Sequence, residues 1–297
     1  MKGIVLAGGS GTRLHPVTLS TSKALLPVYD KPMIYYAMSV LMQAGIRDIL
    51  LISTPEGVPA LRGLLGDGED LGLALSYAEQ AVPRGDGESL VIGARHAGSD
   101  PVALVLGDNV FDGPGLPELL RAGAATDDGC LLFGCHVPDP ERYGVAEVDE
   151  HGRLLSLEEK PSRPRSTLAA TGLYFYDGDA VEIAKGLRPS WRGELEITDV
   201  NQAYIEAGKA GIVPLGERCR WFDAGTYDSL FEVSRYVRLV ERREGRRVAC
   251  LEEIALRMGF ITPGQCFELG ERLGRSEYGR YVMRVAQATA SVSSLAG

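Results

Sequence analysis

The chain has 297 residues, of which 45% are hydrophobic and 24% charged, enough to bury a sizeable core in one large α/β domain or two smaller units. Its formal net charge of −9 argues against nucleic-acid and anionic-membrane partners, because both repel a protein of that sign. No apolar run approaches the length of a membrane span, and five cysteines without a C-x-x-C pair predict reduced thiols in a cytoplasmic protein.

Apolar and amphipathic stretches alternate in the first part of the chain. Strands are predicted at residues 3–7, 48–53, 74–78 and 102–106, and helices at residues 33–43, 58–65 and 90–96. This alternation indicates an α/β fold with a mostly parallel sheet and helices on both faces. Because ligands bind at the carboxyl ends of such strands, the loops that follow the apolar runs are the first candidates for a site.

From about residue 129 the pattern changes to short β-like runs, at 130–137, 145–148, 154–157 and 173–176, which indicates a mixed sheet. Beyond residue 226, apolar residues recur at helical spacing: Leu230, Val233, Val237 and Val240. A basic run follows and is interpreted as a solvated helix end: Arg242, Arg243, Arg246 and Arg247. The tail after residue 286 is expected to be disordered.

A glycine-rich turn, LAGGSGTRL at residues 6–14, follows the first predicted strand. Its glycines let backbone N–H groups approach a polyphosphate, while Arg13 and Lys23 supply positive charge. The turn is not a Walker A loop, and it lacks the G-x-G-x-x-G spacing that a dinucleotide-dependent oxidoreductase needs. Glycines combined with these two cations favour phosphate binding over a simple chain reversal.

Two aspartates, Asp108 and Asp223, each follow an apolar run where a strand should end. The tripeptide around Asp108 is, on its own, more typical of an Asx-turn. Two such carboxylates, however, match the needs of Mg²⁺, which takes one or two carboxylates together with substrate phosphates. The pair is therefore a candidate metal site.

A third candidate is the loop Glu158-Glu159-Lys160-Pro161. Lys160 could pair with a second phosphate and Glu159 could accept hydrogen bonds from sugar hydroxyls, although the loop alone is more typical of an exposed surface. Glu194 and Glu196 are interpreted as caps of the helix that follows. Four histidines lie near no obvious nucleophile and are predicted to be structural or surface residues: His15, His96, His136 and His151.

Taken together, six segments resemble glucose-1-phosphate thymidylyltransferases of the short bacterial form: residues 6–14, 22–23, 26–36, 106–109, 158–161 and 192–199. The resemblance covers nearly the whole chain. It implies a Rossmann-like, mixed and mostly parallel sheet flanked by helices, the nucleotide-diphospho-sugar transferase fold, with C-terminal helices. The implied organisation is a nucleotidyltransferase core with a sugar-binding insertion at 1–240, a helical extension at 241–290 and a flexible tail at 291–297.

The resemblance also implies roles for individual positions. It implies that the triphosphate is held by Gly8, Gly11, Thr12, Arg13 and Lys23. It implies that the pyrimidine base is read by Gln80 and Gly85, and that Mg²⁺ is held by Asp108 and Asp223. It implies that the sugar phosphate is held by Asn109, Gly144, Glu159, Lys160 and Ala170. The catalytic residues it implies are Arg13, Lys23, Asp108 and Lys160.

The implied reaction is Mg²⁺-assisted transfer of a nucleotidyl group from dTTP to α-D-glucose 1-phosphate, giving dTDP-glucose and pyrophosphate. The sugar phosphate attacks the α-phosphorus in line, with Arg13 on the leaving pyrophosphate and Lys160 on the incoming phosphate. A homotetramer regulated by a downstream nucleotide sugar is implied as well.

Two departures from the family pattern leave alternatives open. Ala24 stands where the family usually has glutamine, and Gly85-Asp86-Gly87-Glu88-Ser89 stands where it usually has Gly-Leu-Ala-Gln-Ala. Two carboxylates beside an anionic ligand weaken its binding unless they point away or accept hydrogen bonds. The alternatives are a related transferase for another nucleotide or another sugar or cyclitol phosphate, and a catalytically silent nucleotide-sugar sensor.

Overall fold

The computed structural model describes residues 1–9 and 11–295. The strands in this part of the chain are β1 Lys2–Leu6, β2 Pro27–Val28, β3 Lys31–Pro32, β4 Asp48–Ser53, β5 Ala74–Glu79, β6 Val102–Leu106, β7 Asn109–Asp112, β8 Cys130–His136, β9 Gly144–Val148, β10 Leu154–Glu159, β11 Leu168–Tyr176, β12 Ala210–Pro214 and β13 Arg220–Asp223. The α-helices are α1 Ile34–Gln43, α2 Gly57–Leu65, α3 Glu88–Ile92, α4 Ala94–Ala97, α5 Leu116–Ala124, α6 Ala180–Gly186, α7 Ile197–Glu206, α8 Tyr227–Glu244, α9 Leu251–Arg257, α10 Pro263–Arg272 and α11 Glu277–Leu295.

Nine of the described strands form one sheet with the order β10-β9-β11-β6-β1-β4-β5, and β8 and β12 continue it beside β11. Strands β6, β1, β4 and β5 are parallel, whereas β11 runs antiparallel to β6, β8 and β9. The predicted fold class, a mixed and mostly parallel central sheet flanked by helices, is confirmed. Among the described helices, none is both long and apolar enough to cross a membrane.

Both faces of the sheet are buried, and β1 shows how. Val5 belongs to one hydrophobic cluster, whereas Ile4 and Leu6 belong to the cluster on the opposite face, as the alternation of side chains along a strand requires. Burial on both faces explains why this strand is an unbroken apolar run. The helix predicted at 90–96 is instead split into α3 and α4 at Gly93, where an added β-carbon would lie 2.5 Å from Ile4 Cδ1.

The C-terminal part is helical, as predicted. α8 begins with a capping box between Thr226 and Ser229, and its buried side chains are those expected from the spacing: Val233, Val237 and Val240. α8 crosses residue 240, the expected end of the core, and α9 packs on α1. The tail after residue 286 was expected to be disordered, and residues 291–297 to be flexible. The expected disorder is wrong for residues 287–295, which continue α11, the helix that packs on α9 and α10; Ala296 and Gly297 lie outside the described residues.

The basic run at 242–247 divides into two halves. Arg242 and Arg243 are exposed on the last turn of α8, as predicted. Gly245, with a φ of 70°, then ends the helix and redirects the chain. Arg246 donates two hydrogen bonds to the Asp112 carboxylate, at 2.9 and 2.8 Å. The turn at Gly245 therefore brings the second half of the run onto the protein core.

Arg247 lies at the centre of a largely buried ion cluster. Its guanidinium pairs with Asp30 and, at 2.8 Å, with Glu241, and Lys31 pairs with the same two carboxylates. The side chains of Glu241 and Lys31 are only 7% and 2% exposed. The prediction of a solvated helix end is therefore wrong for Arg246 and Arg247, because the chain reverses after α8.

Candidate active site

A cleft with a volume of about 590 Å³ opens at the carboxyl ends of the parallel strands. All the residues that the sequence analysis assigned to the site line this cleft: Gly8, Gly11, Thr12, Arg13, Lys23, Gln80, Gly85, Asp108, Asn109, Gly144, Glu159, Lys160, Ala170 and Asp223. The structure thus brings the whole predicted set together, although their individual roles stay predictions. The volume of the cleft suits a small-molecule ligand.

Backbone hydrogen bonds extend the sheet beyond its strand ends and fix the loops of the cleft. The N–H of Gly107 donates to the Leu6 carbonyl at 2.9 Å, and the N–H of Gln80 donates to the Ser53 carbonyl at 2.7 Å. The Ser53 hydroxyl in turn donates to the Ala7 carbonyl at 2.9 Å. These bonds place the glycine loop, the residue after β5 and the residue after β6 side by side.

Arg13 stands in the short 3-10 turn Thr12–Leu14, directly after Gly11. Gly11 has a φ of 59°, which favours glycine, and its carbonyl accepts the Thr18 hydroxyl at 2.8 Å. The Arg13 guanidinium lies beside Gly225, where an added β-carbon would be 2.8 Å from it. Arg13 lines the cleft, and no residue of the described chain accepts a hydrogen bond from it. Ser10 of the loop lies outside the described residues.

The two predicted metal ligands meet through the pairing of β7 and β13. Asp223 stands opposite Asn109 in this antiparallel pair, and the N–H of Ala224 donates to the Asp108 carbonyl at 2.9 Å. The Asp108 carboxylate pairs with Lys23. Two carboxylates that are distant in sequence therefore face one cleft.

The surroundings of the two carboxylates shift their pKa values in opposite directions. Burial raises the pKa of Asp223, and the negative charge of Asp108 raises it further. Burial opposes ionisation of Asp108 too, but the Lys23 ammonium and the Asn109 amide outweigh it, so the pKa of Asp108 is lowered. No described hydrogen bond reaches the Asp223 carboxylate, and its nearest cation, Arg142, is 3.9 Å away.

Asn109 is buried and its side chain is engaged with the protein. Its Oδ1 accepts the Gly172 N–H at 3.0 Å and the Trp221 indole N–H at 2.6 Å, while its Nδ2 donates to Asp108 at 2.9 Å. An added β-carbon at Gly172 would lie 2.7 Å from Asn109 Oδ1. In this arrangement Asn109 orients the carboxylate of Asp108.

Three of the predicted sugar-phosphate residues meet through the pairing of β9 with β10. Gly144 of β9 stands opposite Glu159 of β10, whose carboxylate accepts the Thr198 hydroxyl at 2.7 Å. Lys160 pairs with Glu159 at 2.9 Å, and its backbone N–H donates to the Tyr143 carbonyl at 2.9 Å. With a φ of 44°, Lys160 is in the left-handed region, which costs a non-glycine residue about 1 kcal/mol. The bend turns its side chain into the cleft.

Sequence reasoning missed several residues that line the cleft: Arg142, Tyr143, Tyr174, Arg192 and Trp221. Two of them contact each other, since the rings of Tyr143 and Trp221 are 5.2 Å apart in an edge-on arrangement. The sequence contains one indication of these two residues, their closeness to predicted site residues: Tyr143 precedes Gly144, and Trp221 stands shortly before Asp223. Their packing depends on long-range strand pairing, which a local pattern does not contain.

Arg192 also corrects the interpretation of the two glutamates as helix caps. Glu196 is the N-cap residue of α7, but its side chain makes no capping hydrogen bond. Instead its carboxylate accepts the Ser190 hydroxyl at 2.8 Å and pairs with Arg192 at 3.3 Å, and Glu194 pairs with Arg192 at 2.7 Å. The capping interpretation is therefore wrong, because a nearby guanidinium competes for both carboxylates.

The unusual loop at 85–89 is held from outside by the backbone of Leu195. The N–H of Leu195 donates to the Arg84 carbonyl at 2.6 Å, and its carbonyl accepts the Gly87 N–H at 2.9 Å. Gly85, with a φ of 96°, allows this approach, since an added β-carbon would lie 2.4 Å from the Leu195 oxygen. The segment around Arg192 therefore supports a loop that lines the cleft.

Asp86 projects from this loop into the cleft. Desolvation by the surrounding protein raises the pKa of Asp86 to about 7 although the residue is exposed to the cleft, and the negative charges of Asp108 and Glu159 raise it further. One of the two carboxylates of the unusual loop thus faces the ligand space, with its pKa shifted toward neutral pH.

Comparison with known proteins agrees with this geometry. A family model described as nucleotidyl transferase matches residues 2–238. A glucose-1-phosphate thymidylyltransferase of Xanthomonas campestris pv. campestris is 51% identical over 286 residues, which cover 96% of this chain and 97% of that protein. The enzyme of the same name from Mycobacterium tuberculosis is 51% identical over 287 residues, which cover 97% and 99%.

Solved structures show the same fold. A Bacillus anthracis protein described as a glucose-1-phosphate thymidylyltransferase, crystallised with sucrose, superposes with a TM-score of 0.74 at 38% identity, over 80% of this chain and 95% of that one. A UDP-glucose pyrophosphorylase complexed with UDP-glucose superposes with a TM-score of 0.69 at 25% identity, over 82% and 99%. This chain therefore belongs to the nucleotidyl transferase family and is similar over nearly its whole length to glucose-1-phosphate thymidylyltransferases.

Proposed function

We propose that this chain transfers a thymidylyl group from dTTP to α-D-glucose 1-phosphate, giving dTDP-glucose and pyrophosphate. One observation supports this most strongly: a single cleft contains the glycine loop with Arg13, the pair Asp108 and Asp223, and Lys160. Together these residues provide cationic groups for two phosphorylated substrates and two carboxylates for a metal ion. The similarity to thymidylyltransferases at about half identity supports the choice of substrates.

The chemistry needs no general base from the protein. A sugar 1-phosphate is anionic at neutral pH, so one of its oxygens can attack the α-phosphorus in line. Among the described residues that line the cleft, none is a histidine, which fits this requirement. The protein contributes positioning and charge: Arg13 binds the leaving pyrophosphate and Lys160 binds the attacking phosphate.

We assign a Mg²⁺ site to Asp108 and Asp223. The donors fit a hard cation, because both are carboxylates and that of Asp223 receives no described hydrogen bond. The described residues contain no cluster of three or more metal-binding side chains, so the remaining ligands would come from phosphate and water. Bound Mg²⁺ would neutralise phosphate charge and orient the reacting groups. Lys23 shares the Asp108 carboxylate and keeps it close to the triphosphate loop.

The test is pyrophosphate release with Mg²⁺ and glucose 1-phosphate, run in parallel with dTTP, UTP, ATP, GTP and CTP. The proposal expects selective turnover with dTTP. Selective turnover with another nucleotide would move the assignment to a related transferase, the alternative that Asp86 and Glu88 in the unusual loop keep open. Absence of turnover with all five would call for other sugar or cyclitol phosphates, and then for the sensor alternative.

Three further features of the molecule are part of the proposal. We propose a homotetramer, supported by exposed apolar side chains on α8: Tyr227 at 46%, Phe231 at 68% and Leu239 at 56%. We propose a cytoplasmic location, supported by free thiols at every cysteine of the described chain. We also keep the division into a core at 1–240 and a helical extension at 241–290. Sedimentation velocity of the purified chain tests the first point, since a monomer would contradict it.

A further inference from the structure

The amide of Gln80 is held in one orientation by the unusual loop. Gln80 follows β5, is only 4% exposed and lines the cleft. Its Nε2 donates to the Glu88 carboxylate at 2.9 Å and lies 3.4 Å from the Gly85 carbonyl oxygen. An amide has a donor side and an acceptor side, so these contacts decide which side is left for a ligand.

Both partners of Nε2 can only accept hydrogen bonds. If the amide of Gln80 turned over, its oxygen would face the Glu88 carboxylate and the Gly85 carbonyl, and a buried donor would lose its partner. The orientation therefore follows from the chemistry of the neighbours and needs no assumption about the ligand.

The acceptor side of the amide points toward the glycine loop. An added β-carbon at Gly8 would lie 2.4 Å from Gln80 Oε1, and both residues line the cleft. The cleft thus presents a fixed carbonyl oxygen above the loop that is expected to hold the triphosphate. A carbonyl oxygen in this position binds a ligand N–H and repels a ligand lone pair.

Glu88 itself is well placed to hold the amide. It is the first residue of α3, where a carboxylate is favoured by the helix dipole. The loop before it is fixed by the Gly87 N–H, which donates to the Leu195 carbonyl at 2.9 Å. The two carboxylates of the unusual loop therefore do different things, since Asp86 faces the cleft and Glu88 faces Gln80.

We propose that Glu88 is a positioning residue that fixes the Gln80 carbonyl toward the cleft and thereby sets base selectivity. The subsite then takes a nucleobase that presents an N–H, as thymine and uracil do at N3, and rejects cytosine, whose N3 is an acceptor. This inference rests on the proposed function, because it concerns how the same cleft reads the base of its triphosphate.

The experiment compares dTTP with dCTP in the full chain and in two variants, Glu88→Ala and Glu88→Gln. Calorimetric titration gives Kd for each nucleotide, and pyrophosphate release with glucose 1-phosphate gives kcat/KM. Glu88→Ala frees the amide of Gln80 to turn, so the preference for dTTP should fall by about 10- to 100-fold, the cost of one unpaired buried polar group. Glu88→Gln keeps an acceptor oxygen at the same position and should retain the preference.

A control separates this role from a general disturbance. Glu79→Ala removes an exposed carboxylate next to Gln80 and should leave the ratio unchanged. An unchanged dTTP to dCTP ratio in Glu88→Ala, or an equal loss in Glu88→Gln, would overturn the inference. A chain that binds with the expected ratios but turns over no dTTP would instead contradict the proposed function, so the two failures are distinguishable.

Discussion

At the scale of single residues, the two cations of the triphosphate loop are held differently. Lys23 is paired with Asp108, whereas Arg13 has no described hydrogen-bond acceptor. A positive charge already neutralised by a carboxylate attracts a phosphate less strongly than one that is not. Arg13 is thus the residue whose charge is most available to the leaving pyrophosphate.

Arg13→Ala should lower kcat by about 100- to 1,000-fold, the usual effect of removing one preorganised transition-state donor. The measurement is the initial rate of pyrophosphate release at saturating substrates. Arg243→Ala, which removes an exposed arginine of α8, is the matched control and should keep the wild-type rate. An unchanged kcat in Arg13→Ala would show that the guanidinium does not act in the transition state.

Asp108→Asn should abolish Mg²⁺-dependent turnover while the fold stays intact. The substitution keeps the shape of the side chain but removes the charge that both a cation and Lys23 require. Activity at several Mg²⁺ concentrations measures the first effect, and circular dichroism the second. Normal activity in a folded variant would mean that Asp108 is only a turn residue.

The raised pKa of Asp86 predicts that substrate binding depends on pH. Its pKa is raised from the ordinary 3.8 to about 7, so the group is neutral below that pH and ionised above it. The ionised form repels anionic substrates, and KM should therefore rise between about pH 6 and pH 8 in the wild type. Asp86→Asn should show a smaller rise over the same window. Equal pH profiles of KM in the two proteins would contradict this role.

The same shift in the pKa of Asp86 also determines how this residue affects folding stability at different pH values. The folded state holds the Asp86 proton more tightly than the unfolded state, so the carboxyl destabilises the fold increasingly as pH rises from its ordinary pKa to about 7. Asp86→Asn should accordingly raise the urea midpoint at about pH 8 and leave it unchanged at about pH 2.5, where both states are protonated. The opposite order of the two effects would show that the carboxylate is stabilised in the folded cleft.

At the scale of secondary structure, the pairing of β7 with β13 completes the site. It sets Asp223 opposite Asn109 and brings Trp221 onto the Asn109 amide. The run Trp221-Phe222 indicated a strand and so predicted where Asp223 would stand along the chain. The partner strand was not predictable, because pairing across a long sequence separation leaves no local periodicity.

The positions of the strands were easier to predict from the sequence than their pairing, for a physical reason. Strand β4 has the bounds predicted from its apolar run, since both faces of a central parallel strand are buried. Gly8 and Asp108, which follow such strands, could therefore be assigned to one edge of the sheet, whereas Gln80 was implied only by the family resemblance. Arg192 and Arg247 could not, because their partners are set by tertiary packing.

The ion cluster around Arg247 gives a prediction at this scale. Arg247→Ala removes the cation between Asp30 and Glu241. The two largely buried carboxylates then lack one of their compensating positive charges, which should lower the free energy of unfolding by about 3 kcal/mol. Arg242→Ala, from the exposed half of the same basic run, should change it by less than about 0.5 kcal/mol. Urea unfolding of both variants measures the difference, and equal midpoints would mean that the cluster is not stabilising.

At the scale of the whole molecule, the cleft differs from the rest of the chain in its charge balance. The chain carries a formal charge of −9, yet the described residues that line the cleft include equal numbers of cationic and acidic side chains: Arg13, Lys23, Arg142, Lys160 and Arg192 with Asp86, Asp108, Glu159, Glu194 and Asp223. Because these charges balance, a triphosphate meets less repulsion in the cleft than on a surface that is negative overall. The net charge argued against nucleic-acid partners, and the fold shows where cationic side chains meet.

The central claim is that the sugar phosphate displaces pyrophosphate at the α-phosphorus of dTTP in this cleft. The most direct measurement incubates the full chain with Mg²⁺, glucose 1-phosphate and dTTP that carries a radioactive label in its α-phosphate. The proposal predicts that the label moves into dTDP-glucose, with one pyrophosphate released for each molecule formed. Label that stays in dTTP, or is released as dTMP without a sugar product, would contradict it.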